Sequence, residues 1–238
     1  MSRIFLSARW EHLIMANYAV DTESLKPYLP AGVELDEFHG KTYLSLVGFM
    51  FRNIRLFGVP IPFFGSFEEI NLRFYVKRQT PEGLRRGVVF INETVPYRPV
   101  AWLANKLYKE HYTAVPTKHL IKDQAETLSV QYAWKRHKRW HRLSVEAEHR
   151  SRHMEPGSAE EFIFEHYFGY TRISETATEE YRVQHPRWNI RPVLKYALDC
   201  DFADMYGPAF GFLNKQQPDS VMLAEGSPVQ VLWKRNRI

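Results

Sequence analysis

Cysteine is almost missing: the 238 residues hold one, Cys200. A single thiol cannot close an intramolecular disulfide, and a lone cysteine fits a reducing compartment, so a cytoplasmic protein is expected. No apolar run approaches the roughly 20 residues of a membrane-spanning helix. The opening stretch MSRIFLSARW has neither the apolar core nor the cleavage site of a signal peptide. Membrane partners are therefore not expected. Gly/Ser linkers, low-complexity runs and fixed-period repeats are absent too, which predicts one domain over residues 1–238. Phosphate-cradling loops of the GxGxxG or GxxxxGK[ST] type are missing, and so is a GxSxG elbow. There is no HExxH and no cysteine pair. His137 and His141, and His149 and His153, are four apart, a spacing that serves a metal on a helix, but both pairs fall in or beside predicted turns. No metal and no cofactor are expected.

What is present is aromatic and mildly basic. Phe, Trp and Tyr make up 15% of the chain and the formal net charge is +5. Much of the positive excess sits in KRHKRWHR, Lys135 to Arg142. Trp140 among the cations would suit nucleic acid. The flanking segments TLSVQYAW and RLSVEAEH instead make this a solvated hairpin tip, so nucleic acid is not the expected partner.

Strands dominate the pattern. Arg9 to Val20, Lys41 to Arg52, Phe67 to Arg78 and Gly87 to Tyr97 read as long strands, and several more follow Thr127. KTYLSLVGFMFR is bulky on both faces, as a strand covered on both sides would be. Asp21 caps a short helix over TESLKPYL, Pro99 opens a helix with an apolar stripe (Val100, Leu103, Ala104, Leu107), and Ser158 caps SAEEFIFEH. FGVPIPFFG, Phe57 to Gly65, is an apolar loop suited to folding over something. About ten strands with mostly short connections favour antiparallel pairing, closed into a barrel or split into two packed sheets.

The stretch FEEINLRFYV alternates. Ile70, Leu72, Phe74 and Val76 share one face, and Glu69, Asn71, Arg73 and Tyr75 share the other. The first row predicts a core. The second is either washed by water or lines a pocket. Elsewhere, Glu165 and His166 in EHYFGY could form an acid/base pair, and His185 and Arg187 in QHPRWN could hold an anion by charge and stacking; each could equally be a satisfied structural residue.

Taken in order, TESLKPYLPAGVELDEFHGKTYLSLVGF, FEEINLRFYV, VPYRPVAWLANKLY, FEHYFGYT and HPRWN resemble the YqjF-like family of unknown function, grouped with the acetoacetate decarboxylase-like superfamily. The resemblance runs over nearly the whole chain. It implies an α+β, β-dominant fold: a largely antiparallel closed or cone-like β-barrel with a few short helices packed outside and a pocket within. It also implies that Glu69, two residues after Phe67, lines the site. Decarboxylases of this superfamily carry Pro-Lys-Lys, whose first lysine forms an imine with the keto acid while the second lowers its pKa. Here the corresponding stretch is VPTKH, Val115 to His119. Thr117 stands at the nucleophile's place and cannot form an imine; Lys118 stands at the second lysine's. The arginine expected on the first strand has only Arg9 nearby.

Two readings follow. One is a small-molecule-binding protein for a small carboxylate or carbonyl compound, with Arg73, Asn71, Thr117, His166 and Arg187 as ligand-binding candidates. The other is an enzyme, a lyase or hydrolase acting on a small keto acid, with Glu69 and Lys118 as catalytic candidates. Both leave a homo-oligomer open.

Overall fold

The computed structural model describes residues 3–238, apart from the side chain of residue 108. Twelve strands carry the architecture: β1 (Ile4–Val20), β2 (Lys41–Leu56), β3 (Phe67–Thr80), β4 (Gly83–Val95), β5 (Tyr112–Ala114), β6 (Thr117–Asp123), β7 (Thr127–Arg136), β8 (Arg139–Glu148), β9 (Phe168–Arg172), β10 (Thr178–Gln184), β11 (Val193–Asp199) and β12 (Ser220–Arg237). Hydrogen bonding passes along β1-β2-β3-β4-β9-β10-β12, and β12 pairs back onto β1, so seven strands close into a ring. Every neighbour in it is antiparallel except β4 and β9. Closure leaves little free edge; the seam is narrowest between β4 and β9, which pair only at Gly87 and Val88. Strands of two or three residues, among them Glu34–Leu35 and Asn189–Arg191, pair at the rims; they are too short to show as alternation in the sequence.

A second, four-stranded antiparallel sheet, β11-β8-β7-β6, covers one outer flank. Even-numbered residues of β3 (Ile70, Leu72, Phe74 and Val76) pack with Val130, Tyr132, Trp134 and Leu143 from that sheet. Odd-numbered residues turn inward with Met15, Val47, Phe49 and Val88. Both faces of β2 are consequently covered, as its composition predicts.

Two irregularities decide which side chains face inward. On β1, Trp10 and Leu13 both point into the ring, because one extra residue falls between Glu11 and Ile14 in the pairing with β2. His12 takes φ 54° there. Gly226 of β12 lies against this bend with φ 85°; a Cβ on it would stand 2.1 Å from the Trp10 carbonyl oxygen, so no other residue fits without moving β1. On β4, Ile91 is the extra residue: Leu72 faces Asn92 but Arg73 faces Phe90. The inward set switches from Val88 and Phe90 to Glu93 and Val95.

The helices are few. Asp21 accepts from the Glu23 amide at 3.0 Å, but the helix it caps lasts only Thr22–Leu25 before tightening to a 3-10 turn. Pro27 has no N–H to continue the ladder. Helix α1 (Arg98–Tyr108) presents its apolar stripe to the loop 57–65, and α2 (Ala159–Phe164), capped by Ser158, plants Phe162 against Tyr75. The segment Lys135–Arg142 is a hairpin tip, turning at His137 and Lys138, with Trp134 and His141 buried and its lysines and arginines facing water or half-buried. Among the described residues no helix is long and apolar enough to cross a membrane.

Candidate functional site

All seven ring strands contribute to the wall of one interior cavity of about 110 Å3. The polar row of β3 enters it: Glu69, Asn71 and Arg73 line the space, and Glu69 and Asn71 are 3% and 2% exposed. Tyr75 continues the row but is tied off, its hydroxyl 2.7 Å from Ser45 Oγ. Aromatic rings from Trp10, Phe49, Phe90, Phe164 and Trp188 make up much of the remaining wall.

Three carboxyl groups share this wall. Asn71 donates to Glu69 Oε1 at 3.1 Å, and the Tyr112 hydroxyl reaches Glu69 Oε2 at 3.5 Å. Glu110 accepts from Thr171 Oγ1 at 2.5 Å and from Tyr181 at 3.1 Å. Gly169 makes the second contact possible, because a Cβ there would stand 2.1 Å from the Tyr181 ring. Glu93 keeps one buried oxygen, Oε2, without a hydrogen bond. Burial pushes the Glu69 carboxyl up to about 7, against the bonds from Asn71 and Tyr112 and the charge of Arg73. Burial does the same to Glu110, also to about 7, and lifts Glu93 well above the usual carboxylate range, with Glu110 and Glu69 adding repulsion.

Among the described residues Arg73 is the one arginine or lysine lining the cavity. Its buried Nε has no hydrogen-bond partner, and Nη2 meets only the Met15 sulfur, at 3.6 Å. Among the described residues no carboxylate lies within ion-pairing distance of it. Glu69, four residues along the same strand face, is roughly 13 Å away along the backbone. His166 also lines the space, with Nε2 3.3 Å from Asp36 Oδ2 and Nδ1 unpartnered. Burial drives its pKa down to about 4 despite Asp36, so it is neutral at pH 7. His185 is likewise pushed down to about 4 by burial and stacks on Trp188 at 4.1 Å.

Three of the residues expected at the site lie elsewhere. Thr117 and Lys118 begin β6, which belongs to the outer sheet. Thr117 donates to Glu68 Oε2 at 2.6 Å, and Glu68 is on the face of β3 opposite Glu69. Lys118 is exposed, its ammonium 4.3 Å from the centre of the Trp140 ring. After Pro116 the chain has left the ring, so position along VPTKH does not translate into position in the cavity. Arg187 is exposed and pairs with Glu161 at 2.5 Å, while its neighbours His185 and Trp188 turn inward. Arg9 points outward to Glu11 at 2.8 Å. Among the described residues no lysine lines the cavity, and no three His, Cys, Asp or Glu side chains converge on a metal-binding geometry.

A closed strand ring with an outer sheet and an interior cavity is the acetoacetate decarboxylase-like fold. An acetoacetate decarboxylase-like enzyme from Sphingomonas wittichii RW1 superposes with a TM-score of 0.68 at 12% identity, over 98% of this chain and 93% of that one. The enduracididine biosynthesis enzyme MppR complexed with pyruvate gives 0.65 at 12% identity, covering 100% and 91%. Acetoacetate decarboxylase from Legionella pneumophila subsp. pneumophila str. Philadelphia 1 gives 0.65 at 11% identity, covering 98% and 87%. At such identities the likeness is one of fold. Within that fold the chain belongs to DUF2071, described as an uncharacterized conserved protein family, whose model matches residues 7–228. The uncharacterized protein YqjF of Bacillus subtilis (strain 168) is 34% identical over 76 residues, 32% of this chain and 31% of that protein. The match thus spans about a third of that relative's length.

The raised Glu69 carboxyl has a measurable consequence. A group whose pKa rises from an ordinary 4.5 to about 7 on folding favours the folded state below 4.5 and loses that contribution as pH climbs through 7. Glu69→Gln, a permanent mimic of the neutral acid, should match the wild type in urea melts at pH 4.5. It should exceed it at pH 8 by on the order of 1–3 kcal/mol. His166 and His185 titrate in both proteins and drop out of the difference. A difference independent of pH would place Glu69 in contact with water.

Proposed function

We propose that the ring cavity binds a small carboxylate or carbonyl compound, with Arg73 as the anchor for its anionic group, Glu69 and Asn71 as hydrogen-bonding partners, and neutral His166 on the wall. The observation that carries this reading is the guanidinium of Arg73, held in the wall of a cavity with no carboxylate to pair with. A cation in such a place is costly unless something neutralises it, and a bidentate anion is the chemical match. A cavity of about 110 Å3 is smaller than the roughly 150 Å3 that holds benzene, which favours ligands of no more than about six heavy atoms in this space alone. Pyruvate, the ligand of the MppR complex, is of that size class. The lone cysteine is buried and uncrosslinked, which supports a cytoplasmic setting.

Imine chemistry is not part of the reading, because among the described residues the wall offers no amine. A second reading keeps the pocket and adds proton transfer. Glu69, held near neutrality beside the Tyr112 hydroxyl, has the acidity of a general acid/base at pH 7. That supports a lyase or hydrolase acting on a keto acid or related carbonyl compound.

Thermal melting with pyruvate, acetoacetate and butanoate tests the first reading. A concentration-dependent rise in Tm is expected, reaching the equivalent of about 2.7 kcal/mol at 100 times Kd. No rise up to tens of millimolar with any of the three acids would count against it. Consumption of acetoacetate by the wild type, lost in Glu69→Gln, would favour the second reading.

A further inference from the structure

Beside the ring cavity lies a second chamber, of about 200 Å3, between the loop 57–65 and the apolar stripe of α1. Ile61 and Phe64 of the loop face Val100, Leu103, Ala104 and Leu107 of the helix across it. Its polar wall residues are Glu69 and Tyr112, and these two also line the ring cavity, as do Leu6 and Phe51. The Glu69–Tyr112 contact at 3.5 Å therefore stands where the two spaces meet. One side holds a cation without an anion. The other is apolar surface that an aliphatic or aromatic chain would cover.

We propose that the two spaces form one binding site for an amphipathic carboxylate, with the carboxylate on Arg73 and an alkyl or aryl substituent passing the Glu69–Tyr112 contact into the chamber under loop 57–65. This rests on the reading of the ring cavity as a carboxylate pocket and extends it to a substrate class. Volume decides between small and large acids. The ring cavity by itself is filled by about six heavy atoms, those of butanoate, whereas a chamber of about 200 Å3 exceeds the roughly 150 Å3 that takes benzene. The joined site accommodates a carboxylic acid bearing a phenyl-sized or hexyl-sized group. Ile61 and Phe64 of the loop and the stripe of α1 acquire a common purpose: they build the wall that selects the substituent.

The test is calorimetric titration of the unmodified protein with the straight-chain acids from acetate to octanoate and with 4-phenylbutanoate. Affinity is expected to rise about fourfold per methylene and to keep rising past butanoate to hexanoate or beyond. Ala104→Phe, which fills the chamber from the helix side, should leave propanoate binding within twofold and abolish the gain beyond butanoate. A series that levels off at four carbons in the unmodified protein overturns the chamber's role and leaves the small-carboxylate reading standing. Absence of binding by every acid overturns both. The chain-length series needs no variant, so misfolding of Ala104→Phe would not shield the proposal.

Discussion

Replacing Arg73 by glutamine is expected to weaken binding of small carboxylates by one to two orders of magnitude while leaving the fold about as stable as before. Hydrogen bonds to a charged group contribute roughly 1.5–3 kcal/mol, which sets the loss in affinity. The stability expectation comes from what Arg73 lacks in the free protein. Its Nε is buried without a partner, and its nearest polar contact is a thioether sulfur at 3.6 Å. Glu93 and Glu69, the acids whose fields reach it, are driven toward the neutral form by burial. Arg73 is half-buried, and among the described residues its guanidinium meets, besides the Met15 sulfur, only the Tyr75 ring, 5.6 Å from the ring centre, so removing it costs the fold little. A purely structural arginine would behave in the opposite way: its loss would lower Tm and leave ligand affinity within twofold. Calorimetric titration with butanoate and a melt of the same variant separate the two cases.

Leu72→Ala is expected to destabilise the protein by about 2–5 kcal/mol, the range for deleting a buried leucine's methyl groups without collapse of the site. Leu72 is fully buried on the outer face of β3, in the layer shared with the second sheet. Strands from two sheets hold that layer apart, so backbone relaxation into the void is limited. Arg73, one residue on, points the other way. Denaturant melts should therefore show a large loss for Leu72→Ala and none for Arg73→Gln, although the two positions are adjacent. A change below about half a kcal/mol for Leu72→Ala would contradict the two-layer arrangement.

That contrast was legible in the sequence, because the alternation in FEEINLRFYV assigns the two rows to opposite faces and regular β3 obeys it from Glu69 to Val76. The caps Asp21 and Ser158 were equally legible, since the side chain that bonds the first free amide is itself the signal. Glu93 was not. Strict alternation along β4 would have put Asn92 and Thr94 inside. The extra residue at Ile91 reverses the faces, and nothing in GVVFINETV announces it. Glu110 and Tyr112 follow a helix end where Lys109 takes φ 54°, and their inward placement depends on β5 pairing alongside β4. That is tertiary information. Lys118 shows the opposite error: its motif position pointed to the cavity, but β6 pairs with β7 in the outer sheet, a long-range choice that local pattern does not encode. Closure of the ring through β1 and β12, at opposite ends of the chain, was beyond local pattern for the same reason.

The function of the ring cavity turns on what occupies the space in front of Arg73. A crystal structure of the protein soaked with butanoate tests it most directly. The carboxylate is expected inside the ring, within hydrogen-bond distance of the Arg73 guanidinium, with the alkyl end directed toward Glu69 and Tyr112. Butanoate found instead on the outer sheet near Lys118, or an Arg73 guanidinium paired with Glu93 and a cavity holding only water, would contradict it.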